Sequence, residues 1–198
     1  MKFTQYSILI NLCILTILVC ASQAYDFFFF AQQWPGSLCD TKKACCYPKT
    51  GKPAADFGIH GLWPTYNNHS FPGNCNRNSG FDGSEISDLR ERMQVSWPSL
   101  NCPSSNSSKF WKHEWVKHGT CSESVLDQHG YFEAALSIKE HSVNLLQILQ
   151  SAGIQPDGKS YNLESIREAI KKGSGFSPVI ECNVNASGNY QLSRSTFA

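Results

Sequence analysis

The sequence predicts an α+β fold: an antiparallel sheet packed against several helices in a single disulfide-bonded domain. Three observations lead there. Short apolar and aromatic runs bounded by Pro or Gly, the mark of strands, sit near both ends of the mature chain. Between them lie amphipathic stretches at helical spacing. Seven cysteines remain once an N-terminal leader is set aside. The length, 198 residues, allows one domain with a sizeable core and falls short of two.

Residues 1–24 read as a secretory signal peptide: Lys2, an apolar run over residues 8–20, then Ser22-Gln23-Ala24 as a small-residue cleavage site. The run is too short for a typical spanning helix and no later segment approaches one, so no membrane partner is expected. Cys13 and Cys20 leave with the leader. Cys39, Cys45, Cys46, Cys75, Cys102, Cys121 and Cys182 stay, which implies disulfides and one unpaired thiol. No C-x-x-C pair is present, which argues against a zinc ribbon. Sequons at Asn68, Asn106 and Asn185 agree with passage through the secretory pathway. Without Lys2 the basic and acidic side chains balance. Such a chain lacks the broad basic field that holds nucleic acid by counterion release, so contact with nucleic acid must be local and transient.

In chain order, residues 25–34 (YDFFFFAQQW) form a buried strand bounded by Pro35-Gly36. Residues 39–53 are a cysteine-tied loop. Residues 57–63 (FGIHGLW) are a short strand expected to stop at Pro64. Residues 67–83 are a polar, glycine-rich loop. A helix starts at Ser84 with Ile86, Leu89 and Met93 on one face and ends before Pro98. After a serine-rich loop comes a short helix over FWKHEWVKHGTC (residues 110–121), with Gly119 as its stop. Residues 131–152 give the longest helical pattern, with Leu145, Ile148 and Leu149 as its core stripe. Residues 161–172 form a helix capped near Asn162 and closed by Gly173. Residues 179–184 and 190–192 flank Asn185-Ala186-Ser187-Gly188 as a hairpin.

The stretch over residues 110–121 concentrates the chemistry. At about 100° per residue, Phe110, His113, Glu114, Lys117 and His118 fall within an arc of roughly 140°, while Trp115 and Val116 point elsewhere. Glu114 and His118 stand i,i+4 apart, a spacing at which the carboxylate can orient the imidazole. Such a face is ordinarily only solvated. A metalloprotease-like zinc site is disfavoured, because His113 and His118 are five residues apart and point about 140° from one another, so no metal is expected.

His60 lies in an apolar strand with glycine next to it at position 61, leaving room for a group to approach its ring. A lone strand histidine is commonly a satisfied core residue. Two histidine-centred, tryptophan-rich stretches in one small secreted domain point instead to a general base and general acid. One imidazole is then neutral and the other charged at mildly acidic pH.

FGIHGLWPTY and FWKHEWVKHGTC resemble the two active-site motifs of the ribonuclease T2 family. FFFFAQQWPGSLC, the CCYP at Cys45 and SDLRERMQVSWP are similar to plant S-like ribonucleases in particular. The resemblance covers residues 25–192. It implies transesterification of single-stranded RNA through a 2′,3′-cyclic phosphate, with His118 as base and His60 as acid. Glu114 and Lys117 would stabilise the transition state and His113 would hold the phosphate. Gln33, Trp63 and Phe110 would bind bases by edge contact or stacking. No cofactor and no DNA substrate are implied, and the protein is expected to be a monomer, secreted or vacuolar. The disulfides implied are Cys39–Cys45, Cys46–Cys102 and Cys75–Cys121.

The sequence departs from the family pattern at its end. Members continue past the hairpin with a further strand and more cysteines, whereas this chain closes on SRSTFA. The resemblance therefore implies a domain truncated at its C-terminus, an uncovered sheet edge and an unpaired Cys182. The competing reading is a non-catalytic secreted protein on the same scaffold, used for storage or recognition. Retention of His60, Glu114 and His118 favours the enzyme.

Overall fold

A computed structural model describes residues 25–141 and 144–198. The secretory signal read at residues 1–24 lies outside the described residues. Four antiparallel strands form one sheet in the order β2-β1-β4-β3: β1 Phe27–Gln33, β2 Gly58–Thr65, β3 Val179–Val184 and β4 Tyr190–Phe197. Among the described residues six α-helices accompany it: α1 Pro35–Cys39, α2 Arg90–Ser96, α3 Ser108–Lys117, α4 Gln128–His141, α5 Leu145–Ser151 and α6 Leu163–Ser174, with a 3-10 turn at Gly119–Cys121 after α3.

One core joins sheet to helices. Phe30, Ile59, Leu62 and Phe197 from the strands meet Met93 of α2, Trp111 and Trp115 of α3, Tyr131, Phe132 and Leu136 of α4, Leu145 of α5 and Ile170 of α6. Burying one such aromatic or aliphatic side chain is worth about 2 kcal/mol, so this cluster is the main fastening of α3 to the sheet. Arg92 of α2 binds both Glu133 and Glu140 of α4, and Lys139 Nζ reaches Asp56 Oδ2 at 2.8 Å. Disulfides join Cys39 to Cys45, Cys46 to Cys102 and Cys75 to Cys121; Cys182 is free and exposed. Cys46–Cys102 spans 56 residues, a closure worth about 4 kcal/mol in the chain-entropy model.

Several expected boundaries move, each for a physical reason. β2 runs through Pro64 to Thr65, because an edge strand with its outer side unpaired tolerates a residue with no N–H. Residues 84–89 form turns, and the helix begins only at Arg90. The short helix α1, with Pro35 in its first turn, takes the place of the expected Pro35-Gly36 break and runs to Cys39, the first residue of the expected loop. The long pattern over residues 131–152 divides into α4 and α5, and Asn144 caps α5 by accepting from Gln147 N at 2.9 Å. Asn162 caps α6 as expected, but α6 runs to Ser174 and is closed by Gly175, whose φ of 81° is the left-handed C-cap conformation. Gly173 is a packing residue: a Cβ there would run into Ile148. The largest change concerns SRSTFA. Residues 193–197 continue β4, which pairs with β1 as well as β3 and so lies inside the sheet, leaving β2 and β3 as its edges.

Candidate active site

His60 occupies an irregularity in β2. Ala31 pairs with Gly61 and Gln32 with Ile59, so His60 is the extra residue of a β-bulge. Bulges re-aim a side chain at the expense of one ladder bond. Here the freed carbonyl of His60 accepts from Trp97 Nε1 at 2.9 Å, and the Trp97 carbonyl accepts from Trp111 Nε1 of α3 at 2.8 Å. Two buried indoles thus tie the bulge to the helix that carries the other candidate residues.

The His60 Nδ1 lies 2.8 Å from Gln33 Oε1, so Nδ1–H donates to the amide oxygen and Nε2 is left for other chemistry. Gln33 is therefore engaged by His60, an arrangement that its expected role at a base edge did not anticipate. Burial, then the charge of Arg194, then those of His118, His113 and Lys117 hold the His60 pKa down at about 3.

From α3, Trp111, Glu114 and Trp115 turn inward, His113 faces solvent, and Phe110 and Lys117 are half-buried. His118 is the C-cap of α3 and is 3% exposed. The Glu114 carboxylate does not orient it. Glu114 Oε2 instead accepts from Trp63 Nε1 at 2.9 Å, and the Trp63 ring stacks on His118 with centroids 5.2 Å apart. The i,i+4 spacing fails because His118 leaves the helical path at φ −116°, while the Glu114 side chain reaches across to β2. Gly61 makes that reach possible, since a Cβ there would overlap both Trp63 Nε1 and Glu114 Oε2. Burial raises the Glu114 pKa to about 7, partly opposed by the Trp63 hydrogen bond. Burial, then Lys117 and His113, lower that of His118 to about 3. Its Nδ1 is buried with no hydrogen-bond partner among the described residues. His113 is lowered by burial and by Lys117.

Trp63 is thus flanked on several sides. His118 stacks on it, His60 meets it at 5.5 Å edge-on, Phe71 lies at 6.3 Å and the Arg194 guanidinium at 5.4 Å. Phe110 sits edge-on to His60 at 5.5 Å and lines an open cleft of about 720 Å³. The cleft extends from His60, His113 and Glu114 to Ser99, Asn101, Asn106 and Lys109, with Lys49 on its rim. Arg194 and, in the cleft, Lys49, Ser99, Asn101, Asn106 and Lys109 were missed by sequence reasoning; Arg194 lies in the polar run that follows Leu192, with no apolar alternation to announce it. Among the described residues no cluster of three or more His, Cys, Asp or Glu is placed to hold a metal, and no helix is long and apolar enough to cross a membrane.

A half-buried and a buried imidazole, a buried carboxyl and nearby cations in a disulfide-bonded α+β domain make a site suited to acid–base chemistry on an anionic substrate. The sequence model of the Ribonuclease T2 family matches residues 25–197. Ribonuclease 1 of Arabidopsis thaliana is 57% identical over 194 residues, covering 93% of this chain and 84% of the relative. Extracellular ribonuclease LE of Solanum lycopersicum is 61% identical over 173 residues, covering 87% and 75%. The crystal structure of RNase NT in complex with 5′-AMP superimposes with a TM-score of 0.81 at 55% identity, covering 87% of this chain and 84% of that one. The chain belongs to the ribonuclease T2 family of endoribonucleases.

Proposed function

We propose that this chain cleaves single-stranded RNA by transesterification, with His118 as general base and His60 as general acid. The observation that carries the reading is the His60–Gln33 hydrogen bond at 2.8 Å, which commits Nδ1 and reserves Nε2 for proton transfer. His118 Nε2 takes the proton of a ribose 2′-hydroxyl. The 2′-oxygen then bonds to the adjacent phosphorus, the bond to the 5′-oxygen breaks, and that oxygen takes the proton from His60 Nε2. The product ends in a 2′,3′-cyclic phosphate. The nucleophile belongs to the substrate, so the reaction calls for no metal-activated water and no cofactor.

Lys117 and His113 stand on the same stretch of α3 as His118 and supply positive charge where negative charge develops on the phosphate. Glu114, pushed up to about 7, is largely protonated at mildly acidic pH and can offer a hydrogen bond to a phosphoryl oxygen rather than repel it. Phe110, in the cleft wall beside His60, is the stacking surface for a base. Trp63 positions Glu114 and His118 and does not serve as a free stacking platform. Three disulfides suit an oxidising compartment, and the relative from tomato named extracellular supports the secretory pathway, with a secreted or vacuolar monomer as the working form.

The test is incubation with single-stranded RNA and with DNA of the same sequence at mildly acidic pH in a chelator. RNA cut to 2′,3′-cyclic phosphate ends with DNA intact is the expected result. Cleavage of DNA, or RNA cleavage lost on chelation, refutes the mechanism. Survival of both moves the chain to the storage or recognition reading.

A further inference from the structure

Four polar side chains form a row across the sheet. His60 in β2 bonds Gln33 in β1; Gln33 pairs in register with Arg194 of β4; Arg194 pairs with Glu181 of β3. Directly opposite residues of antiparallel strands project from the same face, so Arg194 emerges on the side where Gln33 meets His60. A second irregularity, between Glu181 and Cys182, leaves Ser193 without a partner in β3 and brackets this row from the other end. The Arg194 Cζ lies 5.4 Å from the Trp63 ring centroid, the ring that also touches both histidines.

The guanidinium is held loosely. Its Nη2 is 3.3 Å from Glu181 Oε2, and the two side chains are 26% and 47% exposed. An ion pair between partly exposed groups is weak, and a guanidinium carries five donors suited to the oxygens of a phosphate. The Arg194 charge already reaches the site: after burial it is the largest influence lowering His60, and it also acts on Glu114.

We propose that Arg194 is a phosphate-binding residue of the RNA cleft, held by Glu181 in the free protein and transferred to a backbone phosphate when RNA binds. The inference rests on the ribonuclease reading. A structural strut would use the same contacts, so the test must read phosphate contact and not stability alone.

The experiment measures binding of a short, uncleavable 2′-O-methyl RNA oligonucleotide by fluorescence anisotropy over a range of salt. Wild type, Arg194→Gln, Arg194→Lys and Glu181→Gln are compared. Arg194→Gln should weaken binding about tenfold at low salt and flatten the log Kd against log salt slope by about 0.7, one phosphate contact on a single strand. Arg194→Lys should keep the slope, and Glu181→Gln should tighten binding. An unchanged slope and affinity in Arg194→Gln overturns the proposal, as does a wild type that does not bind. If Arg194→Gln fails to fold, Glu181→Gln decides, and unchanged affinity there overturns it. Cleavage of unmodified RNA is scored separately: wild type that binds but does not cut removes the ribonuclease reading and leaves the Arg194 contact standing.

Discussion

Gln33 and His60 stand on neighbouring strands, 27 residues apart in sequence, with the Gln33 amide oxygen 2.8 Å from His60 Nδ1. An amide oxygen only accepts, so it fixes the tautomer of the neutral ring and steadies the imidazolium when His60 is protonated. The same residue cannot serve a base edge freely with that oxygen.

Gln33→Leu should therefore act on His60. The expected outcome is a fall in kcat of about tenfold with KM and base preference nearly unchanged, measured on a set of dinucleotide substrates. A raised KM for one base with unaltered kcat would return Gln33 to base recognition.

Trp63 donates to the buried Glu114 and stacks on His118, so Trp63→Phe should keep the stacking and lose the donor. An unsatisfied buried carboxyl costs about 1–3 kcal/mol, read as a lower unfolding free energy in urea. Activity should fall without any change in the salt dependence of RNA binding. A variant as stable and as active as wild type would show that the Trp63–Glu114 bond is idle.

Much of the site was legible because its residues are close in sequence. The arc of Phe110, His113, Glu114 and Lys117 on one short helix follows from a period of 3.6, and α3 realises it. What could not be read depends on pairing between distant strands. Nothing local says that residue 33 faces residue 60, because a bulge must first be placed at His60 and the register set. Arg194 was hidden for the same reason. The strand was read only over residues 190–192; the polar run SRST that follows has no apolar alternation, and only its place between β1 and β3 extends the strand. Glu114 misled because i,i+4 proximity holds along a continuous helix and His118 stands at its end. Gly173 and Gly175 show the limit of a stop signal: one packs, the other caps.

Glu114 also predicts how stability varies with pH. Its pKa rises from 4.5 to about 7 on folding, so burying the neutral acid is favourable below pH 4.5 and that contribution is lost as pH rises through 7. The difference corresponds to about 3 kcal/mol. Glu114→Gln keeps an acceptor for Trp63 and never ionises. Its unfolding free energy relative to wild type should improve between pH 5 and pH 8, measured by urea denaturation at each pH. A pH-independent difference between the two proteins would mean that Glu114 is ionised throughout this range.

The two histidines make the last prediction, and its sign runs opposite to that of Glu114. Each is depressed from 6.5 to about 3, so in the free protein both are neutral over most of the acidic range. Catalysis needs His60 protonated and His118 neutral, so kcat/KM, which reports the free enzyme, should fall as pH rises well below 6.5. A bound phosphodiester sets negative charge beside both rings and raises both values. The alkaline limb of kcat should therefore lie at higher pH than that of kcat/KM. Lys117→Ala removes a positive charge that lowers both rings and should move the kcat/KM limb upward, even as it reduces the rate. His60→Ala and His118→Ala should each reduce kcat by about 10²–10⁴ and abolish one limb. Because His118 is buried against Trp63, its replacement should also lower stability, which a melting curve separates from the loss of chemistry. Coincident limbs for kcat and kcat/KM near pH 6.5 would show that burial and the surrounding cations do not govern these imidazoles.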